Sequence, residues 1–201
     1  MLEAESRMYN NRRGKKAYEE GSKSRMIELE SERLRLRELS ADDLEPMMAV
    51  HLSNPDFLSY MEGSEGEAGR YDLERWQRDW TIAQMMPGRH MLGCYLKPQG
   101  EAVGFIEFWE EAEDGNPWLG VLSIRKDHHR QGLGSEAFYC LMNYFLKEYN
   151  WPSLRAGVLE ANEAGMAFAQ HLGFQPVEEG LNQFSGGELR YIVFERSLTE
   201  A

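Results

Sequence analysis

The stretch of this chain best equipped for chemistry runs Asp127-His-His-Arg-Gln-Gly-Leu-Gly-Ser-Glu-Ala137. Histidines and an arginine lead into Gly132-Leu133-Gly134, and an apolar helix pattern begins at Ser135. Glycines let successive backbone N–H groups converge, and a helix start adds positive potential worth roughly 0.3–1 kcal/mol per anionic charge. His129 and Arg130 add positive charge in an otherwise acidic protein. The chemistry that fits is capture of a phosphate-bearing ligand.

Gly132-Leu133-Gly134-Ser135-Glu136-Ala137 also satisfies GxGxxA, the dinucleotide fingerprint. That fingerprint needs a buried strand entering its first glycine directly. Here the polar run Arg125–Gln131 separates Ile124 from Gly132, and the first acidic residue closing a later strand, Glu160, is 28 positions on. A dinucleotide domain is therefore rejected. A ligand-free structural loop stays open on the glycines alone. The sequence of extended strand, basic loop, glycines and helix start favours a pyrophosphate cradle.

The elements that must position this loop can be read from periodicity. Residues 1–25 are polar and without apolar period, and read as a disordered extension or expression remnant, with one folded domain over 26–201. In ERLRLREL, Leu34 and Leu36 alternate with arginines, predicting a half-buried strand. Ser40 and Asp43 form a capping-box-like start for a helix bearing Leu44, Met47, Met48 and His51 on one face. Asn54-Pro55 ends it, and Gly63–Gly69 reads as a flexible loop. Asp72 caps a second helix carrying Leu73, Trp76 and Trp80 on one face.

Three strands follow, RHMLGCYL, EAVGFIEFWE and PWLGVLSIR, and the short gaps between them predict antiparallel neighbours. Helical spacing over Ser135–Tyr149 puts Ala137, Phe138, Leu141, Met142 and Phe145 on a core face, with Tyr139 and Tyr144 read as packing. LRAGVLE is a further strand, Asn162 caps a helix ending at Gly173, and two last strands close the sheet. The order βααβββαβαββ predicts an α/β (α+β) sandwich: a mixed, mostly antiparallel central sheet flanked by helices.

Composition narrows the function. At 201 residues, 42% hydrophobic and 28% charged, the chain reads as soluble and globular, without a membrane span or a signal peptide. Cys94 and Cys140 give neither a disulfide framework nor metal-ligand spacing, which suits a reducing cytoplasm and no metal. The net charge is −12; residues 1–25 are net +3, so the rest carries −15. Such a body repels nucleic acid and suits a cationic small-molecule or peptide partner, although solubility alone also explains it.

LSIRKDHHRQGLGSEA resembles motif A of the GNAT superfamily of acetyl-CoA-dependent N-acetyltransferases, whose loop reads Q/R-x-x-G-x-G/A. NEAGMAFAQHLGF resembles the family's later N-x-x-S/A…G-F segment at Asn162, Gly173 and Phe174. ESERLRLRELSADDLEPM resembles the N-terminal strand and helix of the branch with ribosomal-protein-alanine acetyltransferases. The segments occur in family order, across residues 28–198. The resemblance implies acetyl-CoA as cosubstrate. Backbone groups of Leu122, Ser123 and Ile124 would pair with its pantetheine arm. Arg130, Gln131, Gly132, Leu133, Gly134 and Ser135, with His129, would hold the pyrophosphate. Asn162 would approach the pantetheine or acetyl end while capping its helix, and His128 is read as a solvated loop residue.

Acetylating an amine requires it neutral. Deprotonating a Lys-like ammonium of pKa ~10.4 at pH 7 costs about 4–5 kcal/mol, so a base or water relay is needed. Here the chain departs from its relatives. The family's tyrosine acid aligns with Ala169, the branch's serine with Gly165, and the acid opening the strand before the loop with Trp118. Glu107 and Glu160 remain as candidate catalytic groups, against a reading of each as a solvated strand position. Tyr60, Glu62, Glu65 and Trp76 are candidates for lining an acceptor site. The expected function is acetyl transfer from acetyl-CoA to a primary amine of a small cationic molecule or protein N-terminus, with a homodimer compatible. The alternative is a non-catalytic acyl-CoA-binding module that has lost its proton-transfer residues.

Overall fold

The alternation at Leu34 and Leu36 does produce a two-faced strand in the computed structural model of the chain, which describes residues 26–56, 72–184 and 187–198. Both leucines of β2 (Leu34–Glu38) are fully buried, while Arg35 pairs with Glu28 and Arg37 with Asp43. The stretch ahead of it holds one strand more than expected. A short β1 (Glu28–Glu30) folds back antiparallel onto β2 because Ser31 closes the turn: its N–H donates to Leu34 O (2.9 Å) and its hydroxyl accepts from Leu34 N–H (3.1 Å).

Asp43 starts the first helix as expected, accepting from Ser40 N–H (2.8 Å) and the Ser40 hydroxyl (2.6 Å). It also accepts from the Arg37 guanidinium (2.6 and 2.7 Å) and the Tyr95 hydroxyl (2.6 Å). Burial would raise its pKa, but these donors outweigh burial and hold the carboxyl well below the carboxylate range. Helix α1 spans Leu44–Leu52, and α2 spans Leu73–Gln84 with the Asp72 side chain accepting from Arg75 N–H (2.9 Å).

The remaining strands are β3 (Arg89–Leu96), β4 (Glu101–Trp109), β5 (Trp118–Ile124), β6 (Ser153–Leu159), β7 (Gln175–Phe184) and β8 (Gly187–Ser197). Helix α3 (Leu133–Glu148) follows β5 and α4 (Glu163–His171) follows β6. They form an eight-stranded sheet in the order β1-β2-β3-β4-β5-β6-β8-β7, antiparallel throughout except between β5 and β6. The fold is the expected mixed α/β arrangement with a mostly antiparallel sheet flanked by helices.

Each face of the sheet has its own core. Phe108, Phe138, Leu141, Phe145, Phe174 and Phe194 pack with α3 and α4 on one side. Met47, Val50, Trp76, Met91 and Phe105 pack with α1 and α2 on the other. At about 1.5–3 kcal/mol for each large apolar side chain, this burial makes the sheet a stiff platform. Among the described residues no helix is long and apolar enough to cross a membrane.

One irregularity creates the site. β5 and β6 pair in parallel only at Trp118↔Arg155 and Leu119↔Ala156, then part. Gly120 is an extra residue in β5, because Val121 lies opposite Glu107 while Leu119 lies opposite Phe108. A bulge bends the strand that carries it, here turning β5 away from its parallel neighbour.

Candidate functional site

The gap between β5 and β6 leads to the loop before α3. Arg125 N–H donates to Val103 O (2.8 Å) and Ser123 lies opposite Phe105, so alternate residues Ser123 and Arg125 direct their backbone groups at β4. Leu122 and Ile124 therefore direct theirs toward the gap. The Ile124 carbonyl is already engaged, accepting from His129 Nε2–H (2.7 Å) and Asn54 Nδ2–H (3.0 Å). The Leu122 groups and the Ile124 N–H have no partner among the described residues. Ser123 is turned aside, its hydroxyl oxygen accepting from Asn54 Nδ2–H (3.3 Å).

In the loop, Arg130 (φ +61°) and Gly132 (φ +79°) are left-handed. Such turns curl the chain so that neighbouring amides face one hollow, a nest for anions. Among the described residues no group accepts from the N–H of any residue from Arg130 to Ser135; the first helical bond runs from Glu136 N–H to Gly132 O (3.0 Å). The left-handed Arg130 costs of order 1 kcal/mol, which the surrounding bonds must hold. At Gly134 a β-carbon would press within 3.1 Å of the Phe168 ring of α4.

The loop is braced from the far end of the sequence. Glu136 accepts from Arg33 N–H (2.7 Å), Arg33 Nε–H (2.6 Å) and the Ser31 hydroxyl (2.7 Å), and Arg33 Nη1–H donates to Gln131 O (3.0 Å). Burial would raise the Glu136 pKa, but Arg33 and Ser31 overcome it and keep the carboxylate charged. In the sequence Arg33 presents only the polar face of a strand. No local signal joins it to a glutamate 103 residues away.

Asn162 caps α4 as expected, its Oδ1 accepting from Gly165 N–H (2.9 Å). The Asn162 amide nitrogen has no partner among the described residues. A β-carbon on Gly165 would lie 2.5 Å from that nitrogen, so the Asn162 side chain would have to shift to admit one. Ala169 is buried in the α3/α4 core. The Trp118 indole N–H donates to Asp114 (3.0 and 3.1 Å), which also accepts from Arg155 Nη1–H (2.8 Å). The carboxylate nearest that position is thus held by an arginine and an indole.

Glu107 is not a solvated strand residue. It is 6% exposed and ion-paired with Arg89 on the α1/α2 face, opposite the point where β5 leaves β6. Burial pushes its carboxyl above the ordinary range, with Arg89 opposing. Arg89 also sits 5.0 Å above the Trp109 ring. Glu160 follows the end of β6 beside the gap and is exposed, its N–H donating to Arg190 O (3.0 Å).

Three expectations are corrected. Trp76 does not line an acceptor site: it is 3% exposed, 5.8 Å from the stacked His51 ring and 5.5 Å from Phe105, because the apolar face of α2 packs inward on α1 and β4. Tyr139 is 44% exposed rather than packed. His128 is half-buried rather than solvated, its Nε2 2.8 Å from Arg125 Nη2. Tyr60, Glu62 and Glu65 lie outside the described residues. Among those residues no group of His, Cys, Asp or Glu gathers as a metal site.

Comparison with known proteins gives a consistent answer. Residues 33–175 match the model of the acetyltransferase (GNAT) domain. An acetyltransferase from Thermus thermophilus is 26% identical with a TM-score of 0.63, over 85% of this chain and 99% of its own. A GNAT-family acetyltransferase from Bacillus anthracis shares the fold at 15% identity and TM-score 0.69, over 87% of this chain and 100% of its own. So does the ribosomal-protein-S5-alanine acetyltransferase from Vibrio fischeri, at 14% identity and TM-score 0.65, over 87% and 98%. No curated protein matches the chain significantly.

Proposed function

The chain belongs to the GNAT acetyltransferases, and from that premise we propose that it moves an acetyl group from acetyl-CoA directly to a primary amine of a small cationic molecule or protein N-terminus. The observation that carries this reading is the run of uncommitted amides from Arg130 to Ser135, set where β5 and β6 part. An anion at a helix start meets converging donors and the helix dipole together. The acidic body supports a cationic acceptor. The N-terminal strand and helix motif, with the Vibrio fischeri fold relative, supports the ribosomal-protein-alanine branch. The proposal takes residues 26–201 as one transferase domain, and the free thiols of Cys94 and Cys140 support a cytoplasmic setting.

In the proposed reaction the neutral amine attacks the thioester carbonyl. A C–N bond forms, the C–S bond breaks, and coenzyme A leaves as a thiolate whose ordinary pKa of ~8.5 makes departure undemanding. The amine proton is the harder problem. Glu160 stands beside the gap, open to water; Glu107 lies behind the bulge, more basic than an ordinary carboxylate but held by Arg89. Either relays the proton through water in this scheme. Gly165, Ala169 and Trp118 offer no acid or base, which favours a second reading as a non-catalytic acyl-CoA-binding module.

Calorimetric titration with acetyl-CoA, followed by thiol release across a panel of amines, tests both. Binding with turnover on a cationic amine is expected. Tight binding with no turnover on any amine selects the module, and a folded protein that fails to bind defeats both.

A further inference from the structure

The brace between the β1–β2 turn and the loop holds more than a structural link. Arg33 commits Nε to Glu136 and Nη1 to the Gln131 carbonyl, at 2.6 and 3.0 Å. Its Nη2 has no partner among the described residues and lies 3.4 Å from where a β-carbon on Gly132 would stand. Its side chain is 44% exposed, while that of Glu136 is only 16% exposed. Two bonds therefore fix the plane of the guanidinium, and its third nitrogen sits at the mouth of the amide hollow. A planar guanidinium fixed in this way is pre-organised to bond a phosphate oxygen, which a flexible ammonium is not.

We propose that Arg33 is a phosphate ligand of the donor site, oriented by Glu136 and the Gln131 carbonyl and acting beside the Arg130–Ser135 amides. The inference rests on the acyl-CoA reading of the loop. It adds a residue from the opposite end of the sequence, on a different element from the loop. Because Glu136 balances the charge of Arg33, the contribution is a directed N–H donor rather than net positive potential.

Acetyl-CoA, 3′-dephospho-acetyl-CoA and S-acetyl-pantetheine are titrated calorimetrically into the full chain and into Arg33→Met and Arg33→Lys. Arg33→Met is expected to weaken acetyl-CoA about ten- to a hundredfold, the range for one hydrogen bond to a charged group, and to leave the phosphate-free S-acetyl-pantetheine unchanged. Arg33→Lys recovers part of the loss. The amide NMR shifts of Arg130–Ser135 in unliganded Arg33→Met separate contact from shape. Unmoved shifts beside lost affinity support contact. Shifts moved throughout the loop, or equal loss for all three ligands, mean that Arg33 only shapes the loop and overturn the proposal; so does unchanged acetyl-CoA affinity. If the deficit persists with the dephospho compound, the contact is to the pyrophosphate; if it vanishes, to the 3′-phosphate. Should Arg33→Met fold poorly, the same contrast between ligands is taken from Arg33→Lys. Failure of the unmutated protein to bind acetyl-CoA overturns the donor-site reading itself. Normal binding there with no change in the variants overturns only the role of Arg33.

Discussion

The loop beside the β5–β6 gap and the opposite face of the sheet are built on opposite principles. The donor side consists of contiguous backbone: the amides of Arg130–Ser135, the inward-facing groups of Leu122 and the Ile124 N–H, which have no partners among the described residues. The opposite face of the sheet is closed by charges that satisfy one another, with Glu107 against Arg89 and Asp43 against Arg37. A third such cluster sits on the α3/α4 side, where His90 bridges Glu38 (2.8 Å) and Glu110 (3.0 Å) and stacks on Phe108. Free backbone donors convert directly into ligand binding. Charges already paired and buried convert into fixed geometry, and reach a substrate only by giving up a partner.

That contrast can be broken from the donor side first. Gly132→Asp places a carboxylate in the hollow at a left-handed residue. At about 4 Å from a phosphate charge, with an effective dielectric near 20, the repulsion is about 4 kcal/mol. Acetyl-CoA affinity should therefore fall about a thousandfold by calorimetry, while the left-handed backbone costs only about 1 kcal/mol of stability. Normal affinity would show that the amides do not face the ligand.

Glu107→Ala tests the closed side, and the readouts should exchange places. It strands Arg89, so urea unfolding should show a loss of about 3 kcal/mol, as for one partner removed from a buried pair. Acetyl-CoA affinity should stay within about threefold, since no ligand-facing amide is touched. A large affinity loss with unchanged stability would reverse the assignment of the two regions.

The smallest effect is a pH dependence. Burial alone would lower the His90 pKa, but its bonds to Glu110 and Glu38 outweigh burial and raise it to about 9. A raised histidine contributes stability that is complete below its unfolded pKa near 6.5 and is lost as pH rises through about 9. The full shift corresponds to about 3.4 kcal/mol, and because the cluster is partly exposed solvent screening cuts this to a drop of about 1–2 kcal/mol in unfolding free energy between pH 6 and pH 10. In His90→Gln that drop should disappear. An unaltered pH profile in the variant would assign the dependence to other groups.

Legibility followed the same division. Asp43, Asp72 and Asn162 are readable as helix starts because a cap and the amide it serves are three residues apart. β3, β4 and β5 are readable because two-residue alternation and short turns are local. Trp76 is misplaced by sequence because an aromatic at helical spacing identifies the buried face without saying what it is buried against. For Glu107 the reading as a solvated strand position stays open in the sequence, which does not show that Arg89, 18 positions away, lies beside it.

The sequence by itself determined the make-up of the loop. A strand end, a basic turn, two glycines and a helix start are all encoded within a dozen consecutive residues, and backbone conformation depends mainly on near neighbours. Only the tertiary structure decided how that loop is braced and which charges are withdrawn from chemistry. Arg33 reaches Glu136 across 103 residues, and Glu107 finds Arg89 through strand register, because side-chain partners follow from the packing of distant segments.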